Sequence, residues 1–137
     1  MILKWIRTAV VFVLAMVPMS VLAEDYPTKP VRLIVPFSPG GTNDILARII
    51  AQHMGEKLGK TMIVDNRPGF QGILGTDLAA KADPDGYTLV MISSAYTMNP
   101  VIYKMPYDTL TALDFIAKIG ASFLRKSSEC SNAVVVP

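Results

Sequence analysis

At 137 residues, 51% of them hydrophobic, the chain has room for one domain with a modest core and not for two full ones. Its formal charge of +2 belongs to Lys4 and Arg7 near the N-terminus. The remainder is neutral and lacks the basic face that a nucleic-acid binder needs to displace counterions. One cysteine, Cys130, excludes an intramolecular disulfide, and one histidine, His53, excludes a histidine metal cluster.

Residues 1–23 read as a cleavable export signal. Lys4 and Arg7 form a basic start, Thr8 to Val17 an uncharged apolar run, and Val21-Leu22-Ala23 a compact cleavage site. The uncharged stretch Thr8 to Ala23 is shorter than the ~20 residues of a spanning helix and is interrupted by Pro18, which argues against a membrane anchor. No cysteine lies near the cleavage site to carry a lipid. Export without disulfides points to a bacterial periplasm.

Beyond the signal, Val31-Arg32-Leu33-Ile34-Val35 is short and nearly continuously apolar, as a buried strand of a parallel sheet should be. Pro36 to Gly41 follows as a turn. Thr42, Asn43 and Asp44 suit a helix start, with Leu46, Ile49, Ile50, Met54 and Leu58 at helical spacing and Gly59 as the C-cap. Thr61 to Val64 predicts a second strand, and Asn66-Arg67-Pro68-Gly69 a loop. Gly75 to Ala82 predicts a short helix, Asp83-Pro84-Asp85-Gly86 a turn, and Tyr87 to Ser93 a third apolar strand. A β-α-β-α-β order with short loops implies right-handed crossovers, three parallel strands in the order 2-1-3, and helices on both faces. Ligands of such sheets sit beyond the carboxyl ends of the strands. That selects two connections, Phe37 to Asn43 and Ser94 to Asn99.

The first connection, Ser38-Pro39-Gly40-Gly41-Thr42, offers loop amides, hydroxyls and the positive end of a helix, which suit an anion. An ordinary strand-to-helix turn would use the same glycines. It carries neither G-x-G-x-x-G nor G-x-x-x-x-G-K-[ST], so a carboxylate is a better guess than a phosphate. The second, Ser93-Ser94-Ala95-Tyr96-Thr97-Met98-Asn99, gathers hydroxyls and an amide, which serve equally to cap the next helix. His53 reads as a surface residue of the first helix. Asp65, Asp83, Asp85 and Asp108 show no pairing for acid–base chemistry, and Ser94 has no G-x-S-x-G elbow around it. No catalytic residue, metal or cofactor is expected.

An ordered set of pieces resembles the substrate-binding receptors of tripartite tricarboxylate transporters, the Bug receptors. The set is Tyr26 to Phe37, Pro39-Gly-Gly-Thr-Asn-Asp-Ile-Leu-Ala-Arg48, Val64-Asp-Asn-Arg-Pro-Gly69, Gly75-Thr76, Pro84-Asp-Gly-Tyr-Thr-Leu89, Asn99-Pro100, Pro106-Tyr-Asp108 and Asp114-Phe115. The resemblance implies a two-domain periplasmic solute-binding protein, type II-like, with a cleft between α/β domains. It implies capture of a small carboxylate, tricarboxylate or related organic acid, for membrane permease subunits, with no enzymatic activity. Carried over, the ligand-binding residues are Ser38, Gly40, Gly41 and Thr42, with Ser94, Tyr96, Thr97 and Asn99 in the later loop. Gly41 is expected at a positive φ close to the ligand. Asp44 and Arg48 match the motif and suit capping or packing. Phe70-Gln71 and Ile73 depart from the family's small, Gly-rich stretch, so that loop is not expected to touch ligand.

Residues 24–120 thus read as the N-terminal portion of a solute-binding domain: α/β, a parallel sheet with flanking helices, second domain missing. Residues 121–137 read as a divergent tail, as from a truncated or frameshifted reading frame. Its Arg125, Lys126 and Glu129 do not suit a buried strand, although Val134-Val135-Val136 has strand composition. A non-functional truncated fragment is the alternative, and a small exported hydrolase a weaker one.

Overall fold

Five strands form one sheet in the computed structural model, which describes residues 26–120 and 132–137. The export signal expected over 1–23 lies outside the described residues. The elements are β1 (Val31–Val35), α1 (Thr42–Leu58), β2 (Met62–Asn66), a 3-10 turn (Phe70–Gly72), α2 (Ile73–Ala80), β3 (Thr88–Ser93), α3 (Ala95–Ile102), β4 (Asp114–Gly120) and β5 (Asn132–Val136). The strand order is β2-β1-β3-β5-β4. β1 runs parallel to both neighbours, with Leu33 opposite Val64 on one side and Leu89 on the other. The 2-1-3 order expected from the sequence is the order of the parallel part.

Alternation along the strands divides the core in two. Val31, Leu33, Val35, Leu89, Met91 and Val134 face α1, where Ala47 and Ala51 meet them. Ile34, Val90, Ile92, Ala133 and Val135 face the other way and pack with Ala79 of α2 and Tyr96 of α3. Covered on both faces, β1 and β3 must be apolar almost throughout, which is what made them visible in the sequence.

Three boundaries and packings differ from expectation. The stripe of α1 that meets the sheet is Asp44, Ala47 and Ala51. Ile49 is half exposed instead, because alanine allows the helix axis to approach the sheet and the larger side chains flank the contact. α2 starts at Ile73, earlier than Gly75, because the 3-10 turn leads directly into it. The third is the tail, where the sequence leaves Val134-Val135-Val136 open as a displaced strand. Residues 121–131 lie outside the described residues, but Asn132–Val136 forms an interior strand, antiparallel to β3 and β4. Ala133, Val134 and Val135 are buried there. Their small and β-branched side chains fit a strand covered on both faces, whatever the polarity of the residues before them.

At the amino ends of the strands a strap closes the sheet. The Tyr26 hydroxyl donates to the Gly86 carbonyl at 2.6 Å, the Thr28 amide donates to the Tyr87 hydroxyl at 2.8 Å, and Lys29 pairs with Asp85 at 3.1 Å. The opposite end, where β1, β2 and β3 finish, carries the loops of interest.

Candidate functional site

Val35, Asn66 and Ser93 are the last residues of three adjacent parallel strands. Their connections converge. Pro36 and Phe37 from the first, Gln71 and Gly72 from the second, and Ser93, Ala95, Tyr96 and Asn99 from the third enclose a crevice of about 10 Å³.

In the first connection Gly40 has φ +82° and Gly41 has φ −80° with ψ 168°. The left-handed backbone expected at Gly41 is therefore one residue earlier. Gly41 is the extended residue that precedes α1, and its carbonyl accepts the Ile45 amide at 3.0 Å. The Gly40 amide donates to Asp44 Oδ2 at 2.8 Å, so it is directed inward. The same oxygen accepts Arg48 Nε at 3.0 Å, and Oδ1 accepts Asn66 Nδ2 at 2.9 Å. Asn66 Nδ2 also reaches the Phe37 carbonyl at 3.2 Å. Asp44, 3% exposed, thereby ties the loop, α1 and the end of β2 together. Arg48 first, then the Gly40 amide and Asn66, hold its carboxyl down to about 2. Capping or packing, the roles read for Asp44 and Arg48, describe this cluster well.

The second connection carries four successive positive φ angles: Gly69 149°, Phe70 44°, Gln71 57° and Gly72 86°. For Phe70 and Gln71 that conformation costs about 1 kcal/mol or more each. It is held from both sides. Asn99 Nδ2 donates to the Gln71 carbonyl at 3.1 Å, and the Phe70 ring packs on Tyr103 at 4.9 Å. Gly72 lies so near the first loop that a Cβ would stand 3.4 Å from Pro36 and 3.5 Å from Phe37. Sequence reasoning set this loop aside, yet it forms a wall of the crevice. The four-residue turn depends on contacts from α3, which no local pattern announces.

In the third connection Ser93 Oγ accepts the Ala95 amide at 3.3 Å, and Thr97 Oγ1 donates to the Ser94 carbonyl at 2.9 Å. Tyr96 is buried, stacks on Tyr107 at 6.1 Å, and donates its hydroxyl to the Thr109 carbonyl at 2.7 Å. Burial, with Tyr107 and Asp108 nearby, pushes its hydroxyl up to about 12. Asn99 is also buried. Of the eight residues named from the sequence, Ser38, Gly40, Gly41, Thr42 and Ser94 are exposed, Thr97 is half-buried, and Tyr96 and Asn99 point inward. The donor atoms of Tyr96, Thr97 and Asn99 are already engaged with backbone carbonyls, so these side chains shape the loops.

Cations near the strand ends are paired as well. Arg48 binds Asp44, and Arg32 and Arg67 both bind Asp65. Burial raises the Asp65 carboxyl, but hydrogen bonds from the two arginines outweigh it and leave it below the ordinary range. What remains for an anion is a set of amides at the start of α1 and the surface hydroxyls of Ser38, Thr42 and Ser94. His53 stands away from them on α1, exposed, with Nδ1 3.0 Å from the Ile49 carbonyl. A larger open groove of about 630 Å³ runs between α1 and the free edge of β2, lined by Arg48, Gln52, Glu56, Lys60 and Thr61 among others. It carries mixed charges and no convergence of loop ends.

The model of the tripartite tricarboxylate transporter family receptor matches residues 46–126. Protein BugT of Bordetella pertussis is 39% identical over 103 residues, 73% of this chain and 32% of that protein. The structure of the periplasmic binding protein BugD is similar at 39% identity and TM-score 0.64, over 66% of this chain and 31% of that one. MatC from Rhodopseudomonas palustris, solved with bound malate, is similar at 30% identity and TM-score 0.61, over 68% and 32%. The chain thus spans about a third of the length of the relatives it matches. The family match begins within α1 and runs through β2, the strained turn, α2, β3, α3 and β4, so it takes in the second and third loops, while β1 and the first loop lie before it. The chain belongs to the tripartite tricarboxylate transporter receptor family.

Proposed function

We propose that the chain is the loop-bearing first part of an exported periplasmic receptor that captures a small carboxylate for the permease subunits of a tripartite transporter. The observation that carries this reading is the convergence of three loops at the carboxyl ends of β1, β2 and β3, beside which Ser38, Thr42 and Ser94 are exposed and the cations are already paired. Such donors suit a carboxylate, which accepts several short hydrogen bonds and needs no full countercharge. The malate bound by MatC supports a small dicarboxylate as the class, and the periplasmic setting of BugD supports the location. Receptor relatives favour binding over hydrolysis.

Ser38, Thr42 and Ser94 would supply hydroxyls and Gly41 to Asn43 amides. Gly40, Tyr96, Thr97 and Asn99 would hold these donors in place. A crevice of about 10 Å³ admits at most one water, so a four-carbon acid would lie on the loops rather than between them. Small-ligand sites usually enclose roughly 300–1,000 Å³. For a ligand lying on open loops, affinity is expected near the millimolar range, about 4 kcal/mol. Calorimetric titration of the chain with acetate, malate and citrate tests this. Saturable binding of malate or citrate supports the reading. No heat with any of the three, from a chain shown to be folded, supports a fragment without binding function.

A further inference from the structure

The two glycines of the first loop are held differently: the Gly41 carbonyl by the Ile45 amide of α1, and the Gly40 amide by one side chain. Asp44 accepts from three different segments at once: the Gly40 amide in the loop, Arg48 one turn along α1, and Asn66 at the end of β2. A fourth bond closes the cluster, because Arg48 Nη2 also reaches Asn66 Oδ1 at 3.4 Å. Gly40 has φ +82° with no atom within 4 Å of a Cβ position, and its amide is tied to Asp44. That bond turns the Gly40 amide inward and leaves the next amides, from Gly41 to Asn43, at the open start of α1.

We propose that Asp44 is a positioning residue that sets ligand affinity by latching the Gly40 loop, without touching the ligand. The proposal rests on the carboxylate reading of that loop. It has a counter-intuitive sign. Asp44 is an anion beside a site for anions, so removing its charge should strengthen carboxylate binding if charge alone mattered. If the latch matters more, removing the charge weakens binding. Asparagine at 44 keeps the size of the side chain but is neutral, so the bonds to Gly40 and Arg48 lose their charge assistance, and an amide nitrogen in place of Oδ1 opposes the Asn66 Nδ2 donor.

The test uses Asp44→Asn, with Asn66→Ala as a second variant that removes the bonds of Asn66 to Asp44, Arg48 and the Phe37 carbonyl but keeps the Asp44 carboxylate and its bond to the Gly40 amide. Two quantities are measured on the full chain: amide hydrogen exchange at Gly40 relative to Val90 in β3, and malate affinity by calorimetry. The latch predicts that exchange at Gly40 rises at least about tenfold in Asp44→Asn while Val90 is unchanged, and that malate affinity falls by about tenfold. Asn66→Ala should shift both in the same direction by less. A general loss of stability would instead raise exchange at Gly40 and Val90 together, and that result overturns the proposal. So does tighter malate binding in Asp44→Asn, which would make Asp44 a repulsive charge only. Should the unaltered chain bind no malate, the carboxylate reading fails on its own, and with it the claim that the latch sets affinity. Unchanged Gly40 exchange in both variants would remove the latch even if malate binds.

Discussion

Gly40 and Gly41 are adjacent and answer to different constraints. Gly40 needs glycine for its backbone, at φ +82°, and Gly41 at φ −80° does not. Gly40→Ala is therefore expected to cost about 1–2 kcal/mol, although a Cβ would meet open space. Gly41→Ala, with its nearest neighbour at 3.6 Å, should stay within about 0.5 kcal/mol. Urea unfolding of both variants measures the difference. A third glycine fails for the opposite reason. At Gly75 a Cβ would stand 2.6 Å from the Arg67 carbonyl and 2.9 Å from Pro36. Gly75→Ala must push the start of α2 off the first loop, at about 1–3 kcal/mol. From the sequence the Gly-Gly pair was legible as a turn. Which glycine takes the positive φ was not, because that depends on Asp44 reaching back from the helix.

Among the elements, β1 and β3 were legible because burial on both faces demands unbroken apolar runs. β2 was legible too, with a shifted end, since Asp65 and Asn66 continue it as a polar edge. β5 was only partly legible. Three valines state a strand preference but not that the strand will sit between β3 and β4, which is decided by partners far away in sequence. The 3-10 turn was missed for a related reason, since its backbone is held by Asn99 and Tyr103. If β5 is integral to the sheet, Val135→Ala should destabilise by roughly 2 kcal/mol, the loss of two buried carbons plus part of a cavity. Val135 is fully buried. Thermal unfolding checks this, and an unchanged midpoint would mean that the strand contributes little.

At the scale of the whole molecule, acid stability follows from carboxylates held below their ordinary range. Asp44 falls from 3.8 to about 2, chiefly through Arg48, and Asp65, Asp85 and Asp108 are also lowered. A lowered folded-state value means that the unfolded chain binds protons first as pH falls. The stability these groups contribute is complete above about pH 4 and is lost progressively toward about pH 2 for Asp44. Thermal midpoints from pH 6 to pH 2 should be level at first and then drop, with a shallower drop in Asp44→Asn. Tyr96 acts at the other extreme. With its hydroxyl raised to about 12, stability is lost as pH rises above the ordinary tyrosine range near 10.

In the reading proposed above, a small carboxylate is held on the strand-end loops. An amide-resolved NMR titration with malate, up to roughly 50 mM to cover millimolar binding, tests it most directly. The predicted result is saturable shifts at the amides of Ser38, Gly41 to Asn43 and Ser94 to Thr97, with the groove between α1 and β2 unchanged. Shifts concentrated around Gly55 to Thr61, or none in a chain whose spectrum shows it folded, would contradict it.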